Sequence, residues 1–437
     1  MVRNQRATWL LLALLGVSNA VYAENWVMRD AVVAQDFPTV KVIGLVQPTY
    51  QSDFSNPVTG LTGDQASHNG GYAQSATLAP NYTSTSSFYL FRARLGVLGR
   101  VDPDINYEVV GEYGSNALTT VKGQGANVEL AEGSVTVSKI PGVRLRLGMF
   151  KVPGAEEPLG KSIDYVNFTM GSQLLLNTQP LKASTAQTID QGNGIAAVPS
   201  SGVRAFRDTG IMAFDAFKYD QMEYSYALML GNGSTLNQTD DNKAKSTYGR
   251  VQASYLFDTP SIGLPKDRAD LSGFLWYQQD KPNFEMHTYE QTRMGGGVTY
   301  LRDRWRFSSE VMYAQGMLAL QPLFADDPVR LFTDKSNTAR AWYVDTGYFI
   351  DKHVEVEARY DQLDQNVDSI DLNRSYRTLT LGVQYHFTPN ARAVLNYEIR
   401  DYHMGGVGYQ SPDSQSNASR VDRAVGNRLA LQFSLGF

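Results

Sequence analysis

Hydrophobic and polar residues alternate strictly along the last eleven residues of the chain, Asn427 to Phe437. Leucine or phenylalanine occupies every second position from Leu429 onward, and polar or small residues occupy the positions between them. A period of two with one apolar face is typical of a strand that has lipid on one side and water on the other. The same pattern also fits the edge of a soluble sheet, so the rest of the chain must distinguish the two.

Alternating segments recur along the whole chain, with almost no helical periodicity. They predict about sixteen strands, which agrees with the even strand number of bacterial outer-membrane barrels. We place these strands at 40–50, 87–100, 105–114, 128–139, 143–151, 209–218, 222–231, 246–257, 269–279, 292–301, 304–315, 339–349, 353–362, 375–387, 391–403 and 425–437.

The connections between these strands alternate between short and long. Outer-membrane barrels have short periplasmic turns and long external loops, whereas a soluble sandwich has no reason to sort its loops in this way. With both termini in the periplasm, the long set is external. It comprises 51–86, 115–127, 152–208, 232–245, 280–291, 316–338, 363–374 and 404–424.

The polar faces of the predicted strands carry charge. In 353–361, for example, Glu355, Glu357 and Arg359 share one face and cannot lie against hydrocarbon, so they must line water. Sixteen strands are enough to enclose an aqueous channel. The sequence therefore predicts an all-β fold, a transmembrane antiparallel β-barrel of about 16 strands over residues 40–437.

The N-terminus resembles a secretory signal, with Arg3 and Arg6 before a short apolar run and small residues ending at Ala23. We expect cleavage after Ala23, followed by a short periplasmic segment over 24–39. The chain has no cysteine and a formal net charge of −5. These values exclude a disulfide framework, and the lack of a basic tract argues against nucleic acid as a partner.

The connection 152–208 is far longer than the others, and long loops are usually functional or disordered. Its segment 163–176 is apolar enough to pack against the inner wall, which favours a constriction loop folded into the barrel. The alternative is a surface loop that covers the mouth or contacts another subunit. The candidate constriction residues are Glu156, Glu157, Lys161, Asp164 and Lys182.

Arginines recur on the inward-facing positions, where guanidinium groups could attract anions. Glutamates on neighbouring strands could instead neutralise them as internal ion pairs, and the sequence leaves both interpretations open. The candidate pore-lining residues are Arg92, Arg94, Arg144, Arg146, Arg250, Arg306, Arg359, Glu108, Glu132, Glu355 and Glu357.

Motifs of enzymes and metal sites are missing from the sequence. It contains no Gly-x-Ser-x-Gly, no Walker loop and no His-Glu-x-x-His, and its five histidines are dispersed. We therefore expect no catalytic residues, no cofactor and no metal.

Several segments together resemble the phosphate-selective porin O/P family. They are 91–99, 147–153 with the following Glu156 and Glu157, 207–210, 230–233 and 386–392. The resemblance implies a sixteen-stranded, trimeric passive channel. The predicted lumen also contains acids such as Glu310, Asp345 and Glu398, and a mixed lumen favours a transverse field and weak selectivity over a dedicated phosphate path.

These observations lead to one main functional hypothesis and two alternatives. The main one is an outer-membrane porin for passive diffusion of small hydrophilic solutes, with anions such as phosphate as a candidate class. The alternatives are an outer-membrane barrel enzyme of the lipase or protease class and a non-conducting structural or adhesive barrel. The expected partners are outer-membrane lipid, two further copies of the chain, and the assembly machinery, which would read the strand that ends at Phe437.

Overall fold

The structure is a computed structural model, and its strands are numbered in chain order. It describes residues 26–27, 38–73, 86–115, 128–159, 183–190, 194–199, 206–233, 240, 243–258, 269–281, 283–284, 287–316, 318–320, 324, 329–332, 334–406 and 412–437. The proposed signal and its cleavage site at Ala23 lie outside these residues, as does the apolar segment 163–176.

Sixteen strands pair with their neighbours and close into one antiparallel barrel. All sixteen predicted strands form, with bounds that agree within a few residues. They are β1 (Thr39–Asp53), β2 (Ser86–Asp102), β3 (Ile105–Glu112), β4 (Glu129–Ile140), β5 (Val143–Lys151), β8 (Arg207–Tyr219), β9 (Met222–Gly231), β10 (Ser246–Leu256), β11 (Asp270–Asp280), β14 (Gln291–Arg302), β15 (Trp305–Gln315), β18 (Thr338–Phe349), β19 (Val354–Gln365), β20 (Arg374–Thr388), β21 (Ala391–Met404) and β22 (Arg428–Gly436).

The two faces of each strand have the expected environments. On β22, Leu431 is 48% exposed on the outer face, while Gln432 and Ser434 are buried on the inner face. On β19, Glu355, Glu357 and Arg359 are inward-facing and buried among other polar groups. The alternation therefore separates a lipid-facing surface from a charged lumen, as predicted.

The barrel closes where β22 pairs with β1 on one side and β21 on the other. The last residue takes part, because Phe437 N donates to Gly44 O at 3.0 Å and Gly44 N donates to Phe437 O at 2.9 Å. The phenyl ring covers Gly44 so closely that a Cβ there would lie 2.1 Å from its Cζ. Glycine at position 44 thus makes room for the terminal aromatic ring.

Deleting Phe437 should impair barrel assembly, because the closing strand loses two backbone hydrogen bonds and the ring that covers Gly44. The measurement is the fraction of heat-modifiable protein recovered in the outer membrane. Gly44→Ala tests the same contact independently and should give a milder defect of the same kind. Normal assembly of the Phe437 deletion would contradict this interpretation of the C-terminus.

The loops contain structure that sequence alternation did not predict. Six short strands lie in the external connections: β6 (Ala183–Asp190), β7 (Gly194–Pro199), β12 (Asn283–Phe284), β13 (His287–Thr288), β16 (Leu318–Leu320) and β17 (Val329–Phe332). The order β16-β17-β7-β6 forms a four-stranded sheet, which joins the distal part of the long connection 152–208 to the connection between β15 and β18. Segments predicted to be loops therefore pair with each other in a sheet that is separate from the barrel.

A helix, Ser414–Ala424, lies between β21 and β22, and a 3-10 helix, Gly63–His68, lies between β1 and β2. The Asn417 side chain joins the two connections by accepting from Thr62 N at 3.1 Å and donating to Thr62 O at 3.0 Å. Ala418 and Val421 are buried in an apolar cluster that includes Tyr402 and Met404 of the barrel wall. Within the described residues, no helix has the length and apolar character needed to cross a membrane.

Candidate functional site

The long connection after β5 begins inside the barrel. Arg250 of β10 donates to Gly154 O at 2.7 Å and forms an ion pair with Glu156. Glu156 N also donates to Glu310 Oε2 of β15 at 3.2 Å. All of these wall partners are lumen-facing and buried, so the chain turns inward as soon as β5 ends.

Glu157, the next residue, contacts the wall of the barrel opposite β5. Arg359 Nη1 donates to Glu157 Oε1 at 2.9 Å. Arg359 lies on β19, the thirteenth barrel strand, whereas the connection starts from β5, the fifth of sixteen. A separation of half the ring means that the short helix Glu156–Leu159 crosses the lumen.

The carboxyl group of Glu157 is almost completely buried, with a side chain that is only 3% exposed. Burial raises its pKa from 4.5 to about 7, although the nearby Arg359 guanidinium opposes this change. Removal of water therefore outweighs the ion pair at this position, and Glu157 can exchange a proton near neutral pH.

Apolar contacts hold the same segment on both sides. Val152 and Leu159 pack in a cluster with Phe150 at the end of β5 and with lumen-facing residues of β8 to β10. Ala155 packs in a second cluster with residues of β11 and β15 that include Trp276 and Met312. The crossing segment is thus positioned by packing as well as by ion pairs.

The wall formed by β2 to β8 is a network of paired charges. Arg94 Nε lies 2.6 Å from Glu112 Oε2, and Arg146 Nη2 lies 2.6 Å from Glu108 Oε2. Both arginines lie on the inner face of their strands, and their charges are matched by carboxylates of neighbouring strands. The network also contains Arg207 bound to Glu132 at 2.7 Å, Arg144 bound to Asp215 at 3.2 Å, and Arg92 bound to the Gln47 amide oxygen at 3.2 Å.

The register between neighbouring strands explains which carboxylate pairs with each arginine. Arg94 lies directly opposite Glu112 in the β2–β3 pairing, so its partner is Glu112 and neither Glu108 nor Glu132. Those two glutamates bind Arg146 and Arg207 instead. Alternation predicts which face of the strand a residue occupies. It does not predict which residue of the neighbouring strand lies opposite.

The opposite wall carries more acid than base around Arg306 of β15. The guanidinium lies 2.9 Å from Glu355, 3.3 Å from Asp345 and 3.6 Å from Glu357. Gln384 donates to both glutamates, at 3.3 and 3.1 Å, and Asn396 Nδ2 donates to Glu357 at 2.8 Å. These two amides, which are not among the residues predicted to line the pore, give the two glutamates hydrogen bonds in addition to their contacts with Arg306.

Two glycines provide the space for this acidic cluster. A Cβ at Gly347 would lie 2.0 Å from a Glu355 oxygen, and a Cβ at Gly382 would lie 2.3 Å from a Glu357 oxygen. Because both glycines sit on strands that neighbour β19, they let the two glutamates lie flat against the wall.

Three candidate residues of the constriction loop, Lys161, Asp164 and Lys182, lie outside the described residues. Within the part of the chain that the structure describes, no three His, Cys, Asp or Glu side chains are grouped so as to hold a metal ion.

Residues 280–429 match the family model of phosphate-selective porins O and P, which confirms the resemblance over that part of the chain. A search of curated proteins finds no match. Among solved structures, the anion-selective porin from Comamonas acidovorans is 12% identical with a TM-score of 0.52, over 92% of this chain and 100% of that one. OmpF of Salmonella typhi, in complex with daunomycin, is 12% identical with a TM-score of 0.50, over 93% and 99%.

At this identity, the structural likeness shows the fold alone. The closed sixteen-stranded barrel and the family match over 280–429 together support an outer-membrane channel of the porin type. The match extends from Asp280 at the end of β11 to Leu429 in β22, so it includes Arg306 and the acidic cluster around it.

Proposed function

We propose that the protein is a passive diffusion channel for small hydrophilic solutes, including inorganic anions such as phosphate, with weak selectivity. The observation that carries this proposal is the segment from Gly154 to Leu159, which crosses a charged lumen from β5 to Arg359 on the far wall. A segment fixed across a wide barrel narrows it without closing it. Catalysis forms no part of this role.

Solutes would cross between two walls of different charge. The wall of β2 to β8 presents paired arginines, and the wall around Arg306 presents three carboxylates to one guanidinium. A charge-balanced wall opposite an acidic wall creates a transverse field, which orients polar solutes more than it selects the sign of an ion. The pairing of Arg94 and Arg146 therefore favours weak over strong anion preference.

Planar-bilayer recording tests the proposed function most directly. A porin should give stepwise openings that stay open at low voltage, and its conductance should grow with salt concentration. A barrel whose lumen is filled would give no steps, and an enzyme would turn over an ester or peptide substrate without conducting. Absence of steps from correctly folded protein would overturn the proposal.

Arg94 provides a test of solute contact, because its side chain is 15% exposed while that of its partner Glu112 is fully buried. Arg94→Ala should shift the reversal potential in a salt gradient towards cations and lower the thermal stability, since Glu112 is left buried without its guanidinium. The shift should be larger at ~0.1 M salt, where the Debye length is about 10 Å, than at ~1 M, where it is about 3 Å.

The double variant Arg94→Ala with Glu112→Gln separates direct contact from charge balance. If passing anions touch Arg94, the double variant should recover stability but stay less anion-selective than the native channel. Recovery of both properties would show that the pair is only structural, and that this wall does not bind solute.

The remaining parts of the proposal concern export and assembly. We infer that residues 1–23 are a signal removed after Ala23 and that three copies of the chain associate in the membrane. N-terminal sequencing of the outer-membrane protein tests the first point. The mass of the unheated complex in detergent tests the second.

A further inference from the structure

Trp26 lies inside the barrel, although it precedes the first strand. Its side chain is buried, and its Nε1 donates to Ser225 Oγ of β9 at 3.0 Å. The Arg250 guanidinium of β10 lies 4.9 Å from the centre of its ring. Both partners are buried on the lumen side of their strands, so the indole occupies the lumen itself.

The position of Trp26 along the barrel follows from strand register. Ser225 lies three residues after Met222, where β9 begins at a short periplasmic turn, and this places it about 10 Å along the strand from the periplasmic rim. Ser225 is opposite Gln252, one step on the lumen face from Arg250. Trp26 therefore lies in the periplasmic half of the lumen, close to Arg250, which contacts the crossing segment.

Trp26 and the crossing segment share one apolar cluster. Its members from the segment and the preceding strand are Phe150, Val152 and Leu159, and Trp26 packs with them against residues of β8 to β10. Val27, the next residue, lines a pocket with Glu108, Arg144 and Arg146. Trp26 and Val27 thus adjoin both the start of the crossing segment and the arginine-containing wall of β2 to β8.

Arg250 is the residue through which Trp26 acts. Its guanidinium is fully buried, holds Gly154 O and Glu156, and lies between the rings of Trp26 and Phe274, the latter at 4.0 Å. Aromatic faces stabilise a cation that is removed from water. If the indole were removed, water could reach Arg250 from the periplasmic side. The contacts of Arg250 with Gly154 and Glu156 would then weaken.

We propose that Trp26 is a positioning residue for the constriction, which fixes the crossing segment through Arg250 and narrows the periplasmic half of the lumen. With the proposed cleavage after Ala23, it is the third residue of the mature chain. This inference rests on the proposed function, since it assigns a part of the channel.

The test compares Trp26→Ala, Trp26→Phe and Ser225→Ala in the full-length protein, matured by normal export and recorded in planar bilayers. Trp26→Ala should increase single-channel conductance and open-channel noise. Trp26→Phe should stay near the native values because it retains an aromatic face, and Ser225→Ala should change little because it removes only one hydrogen bond. Native conductance and noise in a folded Trp26→Ala channel would overturn the inference.

If Trp26→Ala fails to fold, chemical cross-linking provides a second test of the inference. The chain contains no cysteine, so Trp26→Cys with Ser225→Cys introduces one defined pair. A short bifunctional thiol reagent should link this pair in the assembled barrel, whereas Trp26→Cys with Cys at the exposed Asp334 should stay unlinked. Failure to link the first pair would overturn the inference, while a native protein without conductance would overturn the proposed function instead.

Discussion

Replacing Arg306 with methionine should destabilise the assembled barrel by roughly 3–5 kcal/mol, the usual cost of breaking a buried ion pair from one side. Arg306 is the only guanidinium that the described contacts give to Glu355, and the Asp345 and Glu357 carboxylates also lie within 3.6 Å of it. Methionine would leave all three acids in a part of the wall where the two glutamate side chains are 1% exposed. The thermal midpoint of the loss of heat-modifiable protein measures the effect.

A second substitution in the same protein identifies the cause. Glu357→Gln in the Arg306→Met background removes one of the unpaired charges and retains a side chain that Gln384 and Asn396 can contact. It should recover part of the lost stability. Arg306→Met protein that melts at the native temperature would show that water or counterions already neutralise this cluster.

The strands and their faces could be predicted from the sequence, because each depends on a local property. A lipid-facing residue must be apolar and a lumen-facing one polar, and this requirement repeats at every second position whatever the neighbouring strand contains. Arg94 and Glu355 could therefore be assigned to the lumen without a structure. The prediction that the connection turns into the barrel rests on less specific grounds, namely its length and its apolar segment 163–176.

Pairing and loop structure could not be predicted in the same way, because they depend on long-range register. Glu112 becomes the partner of Arg94 only through the β2–β3 register, and Arg359 meets Glu157 although the two are 202 positions apart. The helix Ser414–Ala424 has a short apolar face with no distinctive pattern in a loop rich in serine and glycine. Nothing in the sequence pattern indicated a role for Trp26, which is simply an aromatic residue that follows the proposed signal peptide.

Channel selectivity should move towards anions as the pH falls from about 8 to about 6, because Glu157 takes up a proton there. Burial raises its pKa to about 7, and protonation removes one negative charge from the middle of the lumen. The same group should make the folded protein less stable as the pH rises from 4.5 to about 7, since the folded state holds the proton more tightly than the unfolded chain over that window. Reversal potentials in a fixed salt gradient, measured at several pH values, give the midpoint.

Glu157→Gln should show the low-pH selectivity at every pH, because the amide is neutral and has nearly the same shape as the protonated acid. Asp334→Asn is the matched control: hydrogen bonds from Ser336 lower the pKa of this exposed loop carboxyl, so it stays ionised across the range. The control should keep the native midpoint, even if its selectivity is offset at all pH values. A midpoint near 7 that persists in Glu157→Gln would assign the titration to another group and would remove Glu157 from the selectivity of the channel.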